Sequence, residues 1–181
     1  MKTWISMLRG INVSGQKKIK MADLRAMFEA AGYSNVRSYV QSGNVVFGTD
    51  EQDANVLADA IEAAITETFG FDVAVFLRDS EDFRRIIGDN PFLLRGNVDP
   101  QRLYVTFLRT TPSAERVDNT DLPAGSADEF IVAGDAVYLH CPGGYGTSKL
   151  SNTFFERKLG MPATTRNWNT VNALYAMAAA G

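Results

Sequence analysis

Apolar and polar positions at the start of the chain alternate in the pattern of a strand followed by a helix. Residues 3–8 form an apolar run that predicts a buried strand. In residues 21–31 the apolar positions recur at helical spacing, and Gly32 is placed to end the helix. Residues 9–20 between them are polar and contain two glycines, so we expect a loop there.

A hairpin, a second helix and a fourth strand follow. Residues 36–40 and 45–47 have the pattern of extended chain on either side of Gln41-Ser-Gly-Asn44, which has the residue types of a tight turn. Asp50 is expected to cap the second helix, and residues 73–77 predict the fourth strand.

This order of elements, β-α-β-β-α-β over residues 3–78, predicts an α+β subdomain at residues 1–79. Its topology is ferredoxin-like, in which two helices cover one face of a four-stranded antiparallel sheet. We expect the turn at residues 41–44 to lie at the opposite end of the sheet from the point where the first strand leaves, unless the strands are long or bent. That geometry counts against a site shared with the loop at residues 9–20, and the question stays open here.

The remaining residues, 80–181, predict a second and smaller α+β subdomain that ends in helices. Its elements are expected as strands at 102–108, 130–133 and 136–141, a short helix at 152–159 and a terminal helix from about Asn167. The order loosely repeats the first half, but the sequences are too different to assert a duplication. No low-complexity linker separates the halves, so we expect them to pack as one compact unit.

Composition and charge narrow the class of protein. The chain has 181 residues, 45% of them hydrophobic, with no apolar run of membrane-spanning length and no signal-peptide pattern, so we expect a soluble cytoplasmic protein. One cysteine excludes an internal disulfide, and a single histidine argues against structural zinc, so we expect no metal site. A pI of about 5.2 disfavours nucleic-acid binding through bulk charge.

Positive charge is nevertheless concentrated in two segments, the first of which is residues 9–20. This segment carries four basic and no acidic residues, and its glycines and asparagine permit positive φ and close backbone approach to a ligand. It matches no Walker or dinucleotide motif. We predict an anion-binding loop, the alternative being a surface turn with solvated lysines. With the hairpin turn, the candidate ligand residues are Arg9, Gly10, Asn12, Gly15, Lys17, Lys20, Ser42 and Asn44.

The second basic segment begins with residues 143–152, which hold three glycines and Lys149 between a predicted strand and a helix. Backbone N–H groups of such a loop can face a phosphate. Arg166 is expected at the start of the last helix, where a cation is unfavourable unless an anion or a carboxylate pairs with it. Trp168 is either a core residue or a stacking residue. The candidate ligand residues of this half are Ser148, Lys149, Asn152, Arg166, Asn167, Trp168 and Asn169.

Four separated motifs, at residues 7–13, 20–24, 39–47 and 165–171, occur in an order that resembles a bacterial family, domain of unknown function family 1697. Ser148-Lys149-Leu150 with Asn152 also fits the pattern of that family. The resemblance spans nearly the whole chain and implies an α+β protein, ferredoxin-like in its first half, without an established activity. Ser14 stands where many relatives have glycine, which weakens the case that this position requires positive φ.

Two functional hypotheses follow from these residues. In the first, a pocket lined by residues 9–20, 148–152 and 166–169 binds a phosphorylated small molecule or a nucleotide. If chemistry occurs there, Lys149 and Arg166 would stabilise negative charge, but no residue stands out as a general base and no cofactor is indicated, so turnover stays open. In the second, the same polar surface belongs to a non-enzymatic RNA- or protein-binding module, with Trp168 as a stacking or anchor residue.

Overall fold

The first half of the chain contains the elements that its sequence pattern predicts, in a computed structural model that describes residues 1–181. These elements are β1 (Lys2–Leu8), α1 (Met21–Ala30), β2 (Ser34–Tyr39), β3 (Asn44–Thr49), α2 (Ala54–Phe69) and β4 (Val75–Asp79). The strands form an antiparallel sheet in the order β2-β3-β1-β4, which is the ferredoxin-like order. The predicted α+β, ferredoxin-like first half is therefore confirmed.

One face of this sheet packs against α1 and α2. Trp4, Leu8 and Phe47 from the strands form a buried cluster with Leu24 and Phe28 of α1. These strand residues lie at alternate positions, as expected when one face of a sheet meets a helical layer. Burial of this continuous apolar surface holds the first half together.

The start of α2 differs from the prediction. Asp53, rather than Asp50, is the N-cap, because its carboxylate accepts hydrogen bonds from the backbone N–H of Asn55 at 2.8 Å and of Val56 at 3.4 Å. The predicted cap at Asp50 is wrong, since a capping side chain has to lie immediately before the first helical residue to reach those N–H groups.

The second half is also ferredoxin-like. Its elements are α3 (Ser80–Gly88), α4 (Pro91–Arg95), β5 (Leu103–Leu108), α5 (Ala114–Asp118), β6 (Glu129–Ala133), β7 (Ala136–His140), α6 (Asn152–Leu159), β8 (Ala163–Asn167) and α7 (Trp168–Ala179). The sheet order is β6-β7-β5-β8, which repeats the order of the first sheet when counted from β5. The two sheets share details of hydrogen bonding as well, since the N–H of Leu8 donates to Gly43 O at 3.0 Å and that of Leu108 to Asp135 O at 2.9 Å. The second half is therefore a structural repeat of the first.

The strand β8 is the main departure from the sequence analysis. Residues 163–167 pair with β5, so the expectation that Arg166 begins the last helix is wrong. The last helix, α7, begins at Trp168, one residue after the predicted start at Asn167.

The chain divides into two compact units, one of residues 1–84 with 173–181 and one of residues 85–172. We refer to them as the first and the second unit. None of the helices combines the length and the apolar character that crossing a membrane requires.

Candidate functional site

The predicted ligand residues fall into two groups, one in each unit. In the first unit they lie on the loop between β1 and α1, residues 9–20, and on the hairpin turn that ends at Asn44. In the second unit they lie on the segment before α6, at the start of α6, and where β8 passes into α7.

The loop at residues 9–20, which we call the basic loop, is fixed to the first unit by apolar and polar contacts. Ile11 and Ile19 are buried in the core. Between them, the Asn12 side chain donates to the carbonyls of Ile19 at 2.9 Å and Gln41 at 2.8 Å, and accepts from the Ile19 N–H at 2.8 Å. The amide of Asn12 therefore organises the loop and ties it to the hairpin turn.

The basic loop and the hairpin turn lie at the same end of the first sheet. Because β1 and β3 are antiparallel, the end of β1 pairs with the start of β3, with Met7 opposite Asn44. The expectation that the turn lies at the opposite end is therefore wrong. The hairpin turn and the basic loop are so close together that a Cβ added to Gly43 would lie 2.7 Å from Ile11 Cδ1.

Several residues of the basic loop have a left-handed backbone. Gly10 and Gly15 have φ of 70° and 73°, and Asn12 has φ of 56°, which confirms that these positions use positive φ. Ser14 does so too, with φ of 52°, although it lacks the freedom of glycine. Lys17, with φ of 46°, donates from Nζ to the carbonyl of Asp72 at 2.7 Å.

The polar side chains of the hairpin turn make hydrogen bonds within the protein. Asn44 is buried, and its Nδ2 donates to the Tyr39 carbonyl at 3.0 Å and to Ser42 Oγ at 2.9 Å. A cavity of about 410 Å³ lies beside the turn, lined by Asn12, Lys18, Ile19, Lys20, Asp23, Gln41 and Phe69. Of the predicted residues, Asn12 and Lys20 therefore face a common space.

In the second unit, Arg166 lies on β8 and is buried, with only 7% of its surface exposed. Its Nη1 donates to Thr164 Oγ1 at 2.9 Å and to the Thr165 carbonyl at 3.0 Å. Burial lowers the pKa of Arg166 to about 10, against an opposing effect of Tyr145. The side chain therefore stays protonated at neutral pH, and its charge is held inside the protein.

Residues 167–169 line a pocket of about 570 Å³, which we call the amide pocket. Its lining residues are Pro100, Gln101, Tyr104, Asn167, Trp168, Asn169 and Asn172. Tyr104 is part of this lining because it pairs with Asn167 across β5 and β8. The centre of its ring lies 5.2 Å from the centre of the Tyr145 ring. The structure thus brings the predicted residues Asn167, Trp168 and Asn169 together with side chains that the sequence analysis did not include.

The segment before α6 is ordered by hydroxyl groups. Ser148 Oγ donates to Asp128 at 2.7 Å and accepts from the Leu150 N–H at 3.0 Å. Asn152 accepts from the Thr165 hydroxyl at 2.7 Å, which connects the start of α6 to β8. Ser148 and Asn152 therefore hold this segment in place.

Lys149 lies on a separate depression of about 470 Å³, which we call the basic groove. It is lined by Asp121, Leu122, Pro123, Lys149, Ser151, Thr153, Phe154, Arg157 and Lys158. Arg157 and Lys158 were not among the predicted ligand residues. The sequence contained a pattern that points to Arg157, because Thr153 and Arg157 are four residues apart and so share a face of α6.

Titratable groups elsewhere in the second unit are engaged in local structure. Cys141 is buried, which raises its pKa to about 11 and makes it a poor nucleophile. His140 Nδ1 lies 3.2 Å from Glu129, whose carboxylate also accepts from Arg95 at 2.9 Å. No group of three or more His, Cys, Asp and Glu side chains is placed to hold a metal ion.

Sequence comparison gives the chain a family. Residues 1–138 match the family described as "Protein of unknown function (DUF1697)". The chain belongs to this family. The resemblance to this family is thereby confirmed, and the matched residues include the first three of the four sequence motifs, the whole basic loop and the hairpin turn. No curated protein matches the chain.

A solved structure shares the fold. The conserved bacterial protein SP0830 from Streptococcus pneumoniae aligns with a TM-score of 0.74 and 21% sequence identity, over 98% of this chain and 98% of that one. At this identity the likeness shows the α+β fold of this DUF1697 member across both repeats, and it says nothing of function.

Proposed function

We propose that the second unit binds a phosphorylated small molecule or a nucleotide, with the phosphate in the basic groove. The observation that carries the proposal is the composition of the groove, where three cations, Lys149, Arg157 and Lys158, face a single acid, Asp121. Cations around a concave surface with hydroxyl groups suit a compact anion.

The Ser151 hydroxyl group in the basic groove can donate to a ligand. Ser151 Oγ accepts the N–H of Phe154 at 3.1 Å as the N-cap of α6, which leaves the Ser151 hydroxyl proton available to a ligand. The start of α6 also carries the positive end of the helix dipole, which favours an anion nearby. Lys149 and Arg157 are exposed, so neither has to leave a buried ion pair to bind a phosphate.

Thermal-shift and calorimetric titrations with inorganic phosphate, sugar phosphates and nucleotides test the proposal. A ligand at about 100 times its Kd adds roughly 2.7 kcal/mol of stability, or about 5–10 °C in melting temperature for a chain of this size. Lys149→Ala with Arg157→Ala should abolish the shift. Lys18→Ala with Lys20→Ala, which removes the same charge from the first unit, should preserve it. Equal loss in both pairs, or no shift with any phosphate compound, would contradict the proposal.

A second candidate function is that of an RNA- or protein-binding module, and the basic loop favours it. Lys18 and Lys20 are exposed there, on the same loop as Val13, which is 58% exposed. Val40, which is 50% exposed, directly precedes Gln41, to which Asn12 ties the loop. Exposed apolar groups among cations are typical of a contact surface for a larger partner. RNA affinity that falls steeply with salt would support this candidate, provided that Lys18→Ala with Lys20→Ala makes the fall less steep. The net negative charge of the chain disfavours it.

A further inference from the structure

We infer that the amide pocket of the second unit binds a nucleobase, so that the ligand of this protein is a nucleoside phosphate. The inference rests on the proposed function, because it names the uncharged part of the same phosphorylated ligand. Residues 145–151 connect the two places, since Tyr145 packs on Tyr104 of the pocket while Lys149 and Ser151 line the basic groove.

The first argument is charge. None of the residues that line the amide pocket is charged, and four of them, Gln101, Asn167, Asn169 and Asn172, carry side-chain carboxamides. A phosphate or a carboxylate would have no counter-ion there. A flat, neutral ring with hydrogen-bond donors and acceptors at its edge matches the lining, because a carboxamide offers one donor group beside one acceptor and can pair with the edge of a base.

The second argument is the direction of the hydrogen bonds. The side-chain oxygen of Asn167 accepts from the Thr170 N–H at 2.8 Å, so its NH₂ group remains to donate. Asn172 uses its other end within the protein: its Nδ2 donates to the Trp168 carbonyl at 2.8 Å, so its side-chain oxygen remains to accept. The lining of the pocket therefore presents a donor at Asn167 and an acceptor at Asn172.

The third argument is rigidity. Tyr104 is held by ring contact with Tyr145, and its hydroxyl accepts from the Tyr145 N–H at 3.3 Å. Trp168 also lines the pocket but is only 7% exposed, so the accessible aromatic surface there is mainly that of Tyr104. Aromatic rings that are already fixed offer flat contact surface to a base without paying for further ordering on binding.

Calorimetric titration of the wild-type chain with adenosine, guanosine, cytidine and uridine, and with their 5′-monophosphates, tests the inference, with ribose and ribose 5-phosphate as comparison ligands. At least one nucleoside should bind at millimolar concentration or below, and ribose should not. Nucleosides carry no phosphate, so their binding reports the amide pocket separately from the basic groove, which inorganic phosphate reports. Nucleoside binding without phosphate binding would overturn the proposed function and leave the base pocket standing.

The sharpest variant is Asn167→Asp. Aspartate keeps the oxygen that accepts from Thr170 and caps helices as well as asparagine, so α7 should still form. It replaces the NH₂ donor by a charged acceptor, so nucleoside affinity should fall roughly tenfold to hundredfold. Asn55→Asp makes the same charge change in the exposed first turn of α2 and should leave the affinity unchanged.

Asn172→Leu is the second variant, because leucine favours the helix and removes the acceptor. Its nucleoside affinity should also fall, with the melting temperature used to confirm that the chain is folded. Three results would overturn the inference: no nucleoside binds at millimolar concentration, ribose 5-phosphate binds as well as any nucleotide, or Asn167→Asp binds nucleosides as tightly as the wild type.

Discussion

The same corner of the repeated sheet is built in two different ways. In the first unit Trp4 of β1 pairs with Asp79 of β4, and the Lys2 ammonium lies 2.8 Å from the Asp79 carboxylate and 4.1 Å from the centre of the Trp4 ring. In the second unit Tyr104 of β5 pairs with Asn167 of β8, and both line the amide pocket. One corner is therefore filled by an internal ion pair, and the other is open.

The counterpart of Lys2 shows how the second corner is left open. Since Leu8 corresponds to Leu108, Lys2 corresponds to Arg102. The Arg102 side chain points at the segment before α6, because its Nη1 would lie 3.2 Å from a Cβ added to Gly144. Neutral Asn167 offers it no carboxylate. The topology fixes where the corner lies, and a few side chains decide whether it is closed or can take a ligand.

The hairpin turn gives the largest expected effect in this comparison. Gly43 has φ of +83°, and an added Cβ would lie 2.7 Å from Ile11 and 2.8 Å from Leu8. The equivalent residue of the second unit is Asp135, which has a side chain. Gly43→Ala should therefore reduce the free energy of unfolding by about 3 kcal/mol or more, through strain and overpacking. Urea denaturation measures it.

Gly15→Ala is the matched control for that prediction. Gly15 also has positive φ, at +73°, but the nearest atom to its Cβ would be the flexible end of Lys18 at 3.9 Å. Only backbone strain remains, so the loss should be about 1–2 kcal/mol. Equal losses for the two variants would mean that the basic loop does not press on the hairpin turn as described.

The fold could be predicted wherever a sequence pattern was long or distinct. The strand at residues 3–8 is a distinct apolar run, the helix at 21–31 has a clear period of 3.6 residues, and both exist. β8 could not be predicted in the same way, because Ala163-Thr-Thr-Arg-Asn167 is short and almost entirely polar. It is a strand because Thr165 and Arg166 pair with β5, which is a tertiary effect.

Missing β8 also limited what could be predicted of the candidate site. The sequence drew attention to Asn167, Trp168 and Asn169, but Tyr104 joins them only through the pairing of β5 with β8. Arg166 was predicted as a ligand residue because a cation is unfavourable at a helix start, but it lies within a strand. Local charge and residue type therefore indicated residues that line the amide pocket, and the long-range pairing that assembles this pocket required the structure.

The ion pair in the first corner predicts an effect of intermediate size. Burial raises the pKa of Asp79, but the hydrogen bond from Lys2 and those from the backbone of Asp82 and Glu81 outweigh it, so the pKa of Asp79 is lowered. Lys2→Met removes the ion pair and the contact with the Trp4 ring, and should cost about 1 kcal/mol at neutral pH.

The pH dependence of the Lys2→Met effect follows from the sign of that shift. A carboxylate whose folded pKa is lowered stabilises the fold above its unfolded pKa and ceases to do so as the pH falls through the folded value. The difference between Lys2→Met and the wild type should therefore shrink in acid, as measured by denaturation at several pH values. Arg102→Met should show no such dependence, because Asn167 does not ionise; an equal pH dependence in both variants would contradict the comparison.

The smallest expected effect concerns the opposite edge of the second sheet, where β6 pairs with β7. Hydrogen bonds from Arg95 and then from His140 lower the pKa of Glu129 from 4.5 to about 2, whereas the equivalent pair in the first unit, Ser34 and Gly48, does not ionise. The contribution of Glu129 is therefore present above pH 4.5 and lost as the pH falls toward 2.

Glu129→Gln should cost a small amount of stability at neutral pH, small because the Glu129 and Arg95 side chains are partly exposed and solvent screens their pair. The difference from the wild type should disappear as the pH falls toward 2, so the variant shows a flatter fall in stability over that acid range. Denaturation midpoints measured across the range test this. Glu81→Gln, which removes a carboxylate from the exposed pair with Arg84 on α3, should leave the acid dependence as it is in the wild type. If Glu129→Gln loses stability in acid as steeply as the wild type, then the bonds to Arg95 and His140 do not hold Glu129 ionised, and the two edges differ in sequence alone.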